Sequence, residues 1–258
     1  MKTDTPQTIY LKDYTPPAFL IDSVDLDIAI AEGATTVSAT LALRRNPAVA
    51  PGQPLVLDGE ELETLRVAVD GEKVTFSVTP NSLTIAGVPD AFTLHTVVRI
   101  DPGANTGLSG LYRCRDGYFT QCEAQGFRRI TWFIDRPDVM AAYTVTLPAD
   151  KTALPVLLAD GNPVASGDEA GGRHWAKWKD PFRKPAYLFA VVAGKLDVLQ
   201  DTFRTASGRE VQLAIYVEPG KLDQCPHAMA ALKKSMTWDE QRFGLECDLD
   251  HYMIVAVG

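Results

Sequence analysis

Histidine and cysteine are scarce, with four of each in 258 residues. His95, His174, His227 and His251 lie far apart, and no pair has the H-x-x-x-H spacing that sets two imidazoles on one helical face. Cys114, Cys122, Cys225 and Cys247 contain no C-x-x-C pair. Neither a zinc cluster nor a disulfide framework is expected, so no metal is assigned to this chain and its thiols are expected to be reduced. Gly107-Leu108-Ser109-Gly110 is not a G-x-S-x-G nucleophile elbow, and no G-x-x-x-x-G-K phosphate loop occurs. Positive charge is in deficit: 25 Lys and Arg face 33 Asp and Glu, a formal net charge of −8. Polyanion binding needs clustered cations that release counterions, so nucleic acid is not an expected partner. The short basic pairs Arg44-Arg45, Arg128-Arg129 and Lys233-Lys234 read as solvated surface. The longest apolar stretches, residues 187–193 and 252–257, fall far short of the roughly 20 residues of a membrane span. Residues 1–6 lack the apolar core of a secretory signal, so a cytoplasmic location is expected.

What is present is the composition of a globular chain, 46 % hydrophobic and 22 % charged. Apolar residues recur at every second position: Val24, Leu26, Ile28 and Ile30, then Val37, Ala39, Leu41 and Leu43. That period predicts strands with one buried face. Leu65, Val67 and Val69 run into Asp70-Gly71, and Val74, Phe76 and Val78 follow. Asp-Gly between alternating runs predicts a hairpin, because both turn residues tolerate positive φ. Leu83 with Ile85, then Phe92, Leu94 and Val98, continue the series, and Tyr143, Val145 and Leu147 predict a strand ended by Pro148. Many short strands at regular spacing indicate a mainly β protein, an antiparallel sandwich or folded-over sheet.

Residues 187–193 predict a buried strand, broken by Gly194-Lys195, and a domain boundary is set near residue 195. Beyond it, residues 198–203 and 211–217 predict a hairpin. Asp223 and Pro226 suit the start of a helix, Met229, Leu232, Met236 and Phe243 share one of its faces, and Gly244 suits its stop. Residues 252–257 predict a final short strand.

Residues 103–139 are less regular and read as a long connection, the kind of segment that often carries function. Within it lies Gln121-Cys122-Glu123. In an extended chain Gln121 and Glu123 point the same way and Cys122 points opposite. An amide oxygen beside a carboxylate suits a primary ammonium, which offers several N–H donors. Cys122 has Arg128 and Arg129 close in sequence, which could lower its pKa, but no base is evident beside it.

The stretch Thr120-Gln121-Cys122-Glu123-Ala124-Gln125-Gly126-Phe127-Arg128, with Asp135-Arg136-Pro137-Asp138-Val139 behind it, resembles the bacterial aminopeptidase N group of gluzincin zinc aminopeptidases. The likeness continues in collinear order. It runs through Asp180-Pro181-Phe182, residues 187–194, Ser207-Gly208-Arg209-Glu210, Trp238-Asp239-Glu240 with Phe243-Gly244, Asp250 and residues 252–257. It covers nearly the whole chain.

The resemblance implies a saddle-like, antiparallel β-sandwich domain over residues 1–195. It also implies that residues 196–258 are the first strands and helix of an incomplete thermolysin-like α/β domain. It implies that Glu123 binds the free α-amino group of a peptide and that Gln121 contributes beside it. Zinc is implied for the full-length enzyme, but the Gly-x-Met-Glu-Asn and H-E-x-x-H motifs of the family do not occur here. This part alone is therefore expected to bind no zinc and to be inactive. Its expected partners are peptides with a free N-terminus and the remainder of the catalytic domain, and residues 196–258 are expected to expose apolar surface. The alternative is a non-catalytic β-sandwich module for binding or scaffolding; a sugar-active β-protein would need a carboxylate pair across a cleft.

Overall fold

A computed structural model describes residue 8 and residues 10–115 and 117–258. Residues 1–6, on which the reading of the N-terminus rests, lie outside the described residues.

The fold is mainly β, with several sheets and one α-helix among the described residues. The largest sheet has eight strands in the order Asn162–Glu169, Arg173–Pro185, Met140–Asp150, Phe19–Ala29, Thr35–Arg45, Ala91–Ile100, Glu63–Val69 and Glu72–Lys73. Val24, Leu26, Ile28, Val37, Ala39, Leu41 and Leu43 are all buried, as the alternation predicts, so one face of these strands forms the core. Asp70 and Gly71 make the hairpin turn with φ of 49° and 86°. The returning strand is short, Glu72–Lys73, and Ser77–Thr79 joins a different sheet. Val78 is exposed, so the Val74–Phe76–Val78 alternation does not make one strand face.

The sheet is not wholly antiparallel. Phe19–Ala29 runs parallel to Met140–Asp150, which the long intervening chain permits, since only tight turns force antiparallel neighbours. Pro148 does not end that strand; it pairs with Trp175, and its carbonyl accepts a hydrogen bond from Ile30 N at 3.2 Å. Residues 187–193 also differ from expectation. Ala186–Leu188 is a 3-10 turn with Leu188 exposed, and the strand is only Val191–Gly194. The supposed long connection contains a hairpin, Gly110–Cys114 with Gly117–Gln121, in a four-stranded sheet completed by Val191–Gly194 and Val156–Ala159.

One hydrophobic cluster gathers buried side chains from Phe19 to Ala193. A second joins Val211, Leu213, Ile215 and Val217 to Met229, Leu232 and Met236. These last three lie on the helix Pro226–Phe243, which covers the sheet of Asp197–Arg204, Glu210–Val217 and His251–Ala256. Glu210–Val217 and His251–Ala256 are parallel, and the helix lies in the chain that connects them.

Gly244 ends the helix in the left-handed conformation, φ 66°, where a Cβ would be strained. Asp223 is not the N-cap; Cys225 occupies that position without a side-chain bond, after the 3-10 turn Leu222–Gln224. Phe243, the last residue of the helix, is exposed although it continues the face of Met229, Leu232 and Met236, and it stacks edge-on against Trp238. Trp238, Phe243, Leu245, Tyr252 and Val257 are all exposed. The helix is not long and apolar enough to cross a membrane.

Candidate functional site

The strand Gly117–Gln121 ends with Gln121 opposite Gly110, and residues 123–126 turn away from it. The turn closes with a hydrogen bond from Gly126 N to the Cys122 carbonyl at 2.7 Å. Only glycine fits at 126, since a Cβ there would collide with the Gln121 carbonyl oxygen and the Gly110 nitrogen. The 3-10 turn Phe127–Arg129 follows, and Phe127 drives its ring into Phe133, Tyr143 and Phe189. That aromatic cluster pins the loop from beneath.

Gln121 and Glu123 are exposed and Cys122 is buried between them. Gln121 Nε2 donates to the Glu123 backbone carbonyl at 3.4 Å, and the Glu123–Ala124 peptide is cis. Among the described residues Glu123 makes no ion pair. An exposed carboxylate without an ion pair, near a primary amide, can accept the N–H donors of an ammonium group.

Cys122 is not an activated thiol. Burial pushes its pKa well above the usual thiol range, and Asp135 and Asp160 add to the shift, with Lys184 the lesser opposing charge. Arg128 and Arg129 do not lower it, because they are committed elsewhere. Arg128 Nε donates to Asp135 Oδ2 at 3.0 Å, and its Nη1 is 3.8 Å from Asp58 Oδ1. Arg129 pairs with Glu61 and lies 3.5 Å from Glu60. These two arginines are thus ties between the loop and residues 58–61, a correction to their reading as solvated charge. Arg45 differs too: it pairs with Asp90 at 2.6 Å and lies over the Phe19 ring.

Behind Cys122 is a polar knot that single residues in the sequence do not announce. Lys184 Nζ lies 2.7 Å from Asp160 and 2.9 Å from Asp180, above the Tyr143 ring. Asp160 accepts from Ala190 N at 2.8 Å and Asp180 from Phe182 N at 3.1 Å. Thr120 Oγ1 accepts from Val191 N at 2.8 Å, so the strand that carries Gln121 is tied to the same backbone. Burial raises the Asp160 carboxyl above its ordinary range despite the Lys184 ammonium.

Among the described residues no group of three or more His, Cys, Asp or Glu could hold a metal ion. All four cysteines are free.

The mainly β scaffold places the chain in a known class. Residues 22–188 match the family model of the peptidase M1 N-terminal domain, and the chain belongs to that family. It is 51 % identical over 260 residues to aminopeptidase N of Caulobacter vibrioides, a match that covers 100 % of this chain and 30 % of that protein. It is 50 % identical over 256 residues to aminopeptidase N of Escherichia coli, covering 99 % of this chain and 29 % of that protein. The chain therefore spans about 30 % of the length of the curated relatives it matches. Among solved structures, Legionella pneumophila aminopeptidase A in complex with aspartic acid superposes with a TM-score of 0.91 at 33 % identity, over 95 % of this chain and 29 % of that one. An M1 zinc metallopeptidase from Deinococcus radiodurans shares the fold, with a TM-score of 0.78 at 15 % identity over 92 % of this chain and 56 % of that one.

Proposed function

We propose that this chain is the N-terminal part of a zinc-dependent aminopeptidase, and that Glu123 and Gln121 bind the free α-amino group of its peptide substrate. The observation that carries this reading is the exposed Glu123 side chain, without an ion pair among the described residues, in the turn whose Glu123 backbone carbonyl accepts from the Gln121 amide. Kinship to the bacterial aminopeptidases N supports it.

In this reading residues 1–195 are the β domain and residues 196–258 open the catalytic domain. The two hydrophobic clusters are consistent with that division. The described residues do not fit a zinc site, so zinc is assigned to the remainder of the enzyme and no step is routed through it here. When bound there, zinc would polarise the scissile carbonyl and acidify a water.

Glu123 does no bond chemistry. Its charge pairs with the substrate ammonium, and the length of that pair sets how far into the cleft the first peptide bond reaches. Cleavage is thereby confined to the residue at a free N-terminus. A charged hydrogen bond of this kind contributes about 1.5–3 kcal/mol, equivalent to roughly ten- to a hundredfold in rate or affinity.

The test is Glu123→Ala in the complete enzyme, assayed on aminoacyl p-nitroanilides. The expected result is a fall in kcat/KM of tenfold or more. Kinetics within twofold of the parent would remove the assignment and favour a scaffolding role for the domain. The 258-residue chain alone is expected to be inactive, with no stoichiometric zinc by metal analysis.

A further inference from the structure

The strand His251–Ala256 is the edge of its sheet and lies against the large β core through Met253 and Val255, as does Tyr216 beside it. Beside this junction an open cleft of about 250 Å³ runs between Gly161, Ala190 and Val192 on one side and Leu249, Tyr252 and Met253 on the other. A second, of about 330 Å³, opens at the far end of the strand between Phe119 and Lys195 on one side and Glu218 and Val257 on the other.

Each cleft is bridged by a polar tie. Beside the first, Asp250 N donates to Asn162 Oδ1 at 2.9 Å, and Asn162 Nδ2 donates to Asp250 Oδ2 at 3.4 Å. Arg209 Nη1 donates to Asp250 Oδ1 and to the Leu249 carbonyl, each at 2.9 Å. The Asp250 carbonyl accepts from Gln212 N at 2.8 Å, so residue 250 is held by its own sheet and by the β core together. At the other cleft Arg115 pairs with Glu218, which also holds Lys221.

Along an open cleft facing side chains do not touch, and the few apolar contacts of Met253, Val255 and Tyr216 are non-directional, so they set little registry. Directional hydrogen bonds then fix the relative placement of the two parts. The wall of the first cleft is also the support of the candidate site. Val192, which lines the cleft, pairs with Phe119 in the strand that ends at Gln121. We propose that Asn162 and Asp250 are positioning residues that fix the strand His251–Ala256, and the catalytic chain that follows it, relative to Glu123. The kinetic part of this proposal rests on the aminopeptidase reading; the structural part does not.

The test is a charge exchange. Asn162→Asp sets two carboxylates against each other, and adding Asp250→Asn restores a donor–acceptor pair. In the 258-residue chain, amide hydrogen exchange over residues 250–256 is expected to quicken fivefold or more in Asn162→Asp. It should return to within twofold of the parent in the double variant. Unchanged exchange over residues 19–29 serves as the check that the β core is folded. No change in the single variant, or no recovery in the double, overturns the tie.

In the complete enzyme, kcat for aminoacyl p-nitroanilides is expected to fall at least fivefold in Asn162→Asp with KM within twofold, and to recover in the double variant. Quickened exchange with an unchanged kcat overturns the positioning role. Failure of the amine-site reading is seen separately, as unaltered kinetics in a Glu123 variant whose exchange over residues 250–256 is that of the parent.

Discussion

Arg128 reaches back from the loop that follows Glu123 to hold Asp135 in three hydrogen bonds. Its backbone N and its Nε donate to Asp135 Oδ2 at 3.2 and 3.0 Å, and its Nη2 donates to the Asp135 carbonyl at 3.0 Å. The Asp135 side chain is only 2 % exposed. Burial raises its carboxyl pKa, and Arg128 opposes that shift without cancelling it. Replacing Arg128 by Met leaves the buried carboxylate with the backbone N–H of residue 128 but without its cation. The expected cost is about 3 kcal/mol, the range for breaking a buried pair from one side. Urea unfolding of the 258-residue chain measures it. A loss below about 1 kcal/mol, the range of exposed pairs, would class this pair with surface ion pairs.

Gly126 tests how tightly the same loop is built. The atoms a Cβ would strike belong to the backbone of Gln121, Cys122 and Gly110, which cannot rotate away as a side-chain tip can. Gly126→Ala is expected to destabilise the chain by about 1–3 kcal/mol, as overpacking does in a close-packed region. A melting temperature equal to the parent's would mean that the turn relaxes freely.

His95 gives the fold a pH dependence. Its Nε2 lies 3.0 Å from Ser38 Oγ, and burial, then the nearby Arg66 charge, lowers its pKa from the ordinary 6.5. As pH falls through 6.5 the unfolded chain takes up this proton before the folded one does. Stability from this group is therefore complete above 6.5 and declines as pH drops towards the depressed folded value. The stability difference between parent and His95→Gln, read by urea unfolding at pH 7.5 and pH 5.5, is expected to shift against the parent at the lower pH. A difference independent of pH would contradict the depressed value.

Much of this molecule is legible from single residues. The alternation of Val24 to Ile28 and of Val37 to Leu43 marks buried strand faces, because burial on one side of a sheet imposes a period of two. Asp70-Gly71 marks its turn for a backbone reason. Pro148 misleads, since a missing N–H costs one donor but its carbonyl still serves the ladder. Residues 187–189 mislead because a 3-10 turn also tolerates apolar side chains. The hairpin Gly110–Cys114 with Gly117–Gln121 escapes because strands of five residues with Arg, Cys and Thr show no clear period. At the site, Gln121 ends its strand and Glu123 opens the turn that follows, so their common exposure is not the strand alternation that an extended chain would give. The Lys184 knot with Asp160 and Asp180 is not legible either, because nothing in the sequence says which lone charge will meet which across sheets.

The amine clamp is tested most directly by substrate discrimination. In the complete enzyme, kcat/KM is compared for an aminoacyl p-nitroanilide and for its analogue lacking the α-amino group, with Glu123 intact and with Glu123→Gln. The parent is expected to favour the free amine strongly, and the variant to lose at least tenfold of that preference while its rate on the desamino analogue stays within twofold. An unaltered preference in the variant would contradict the account.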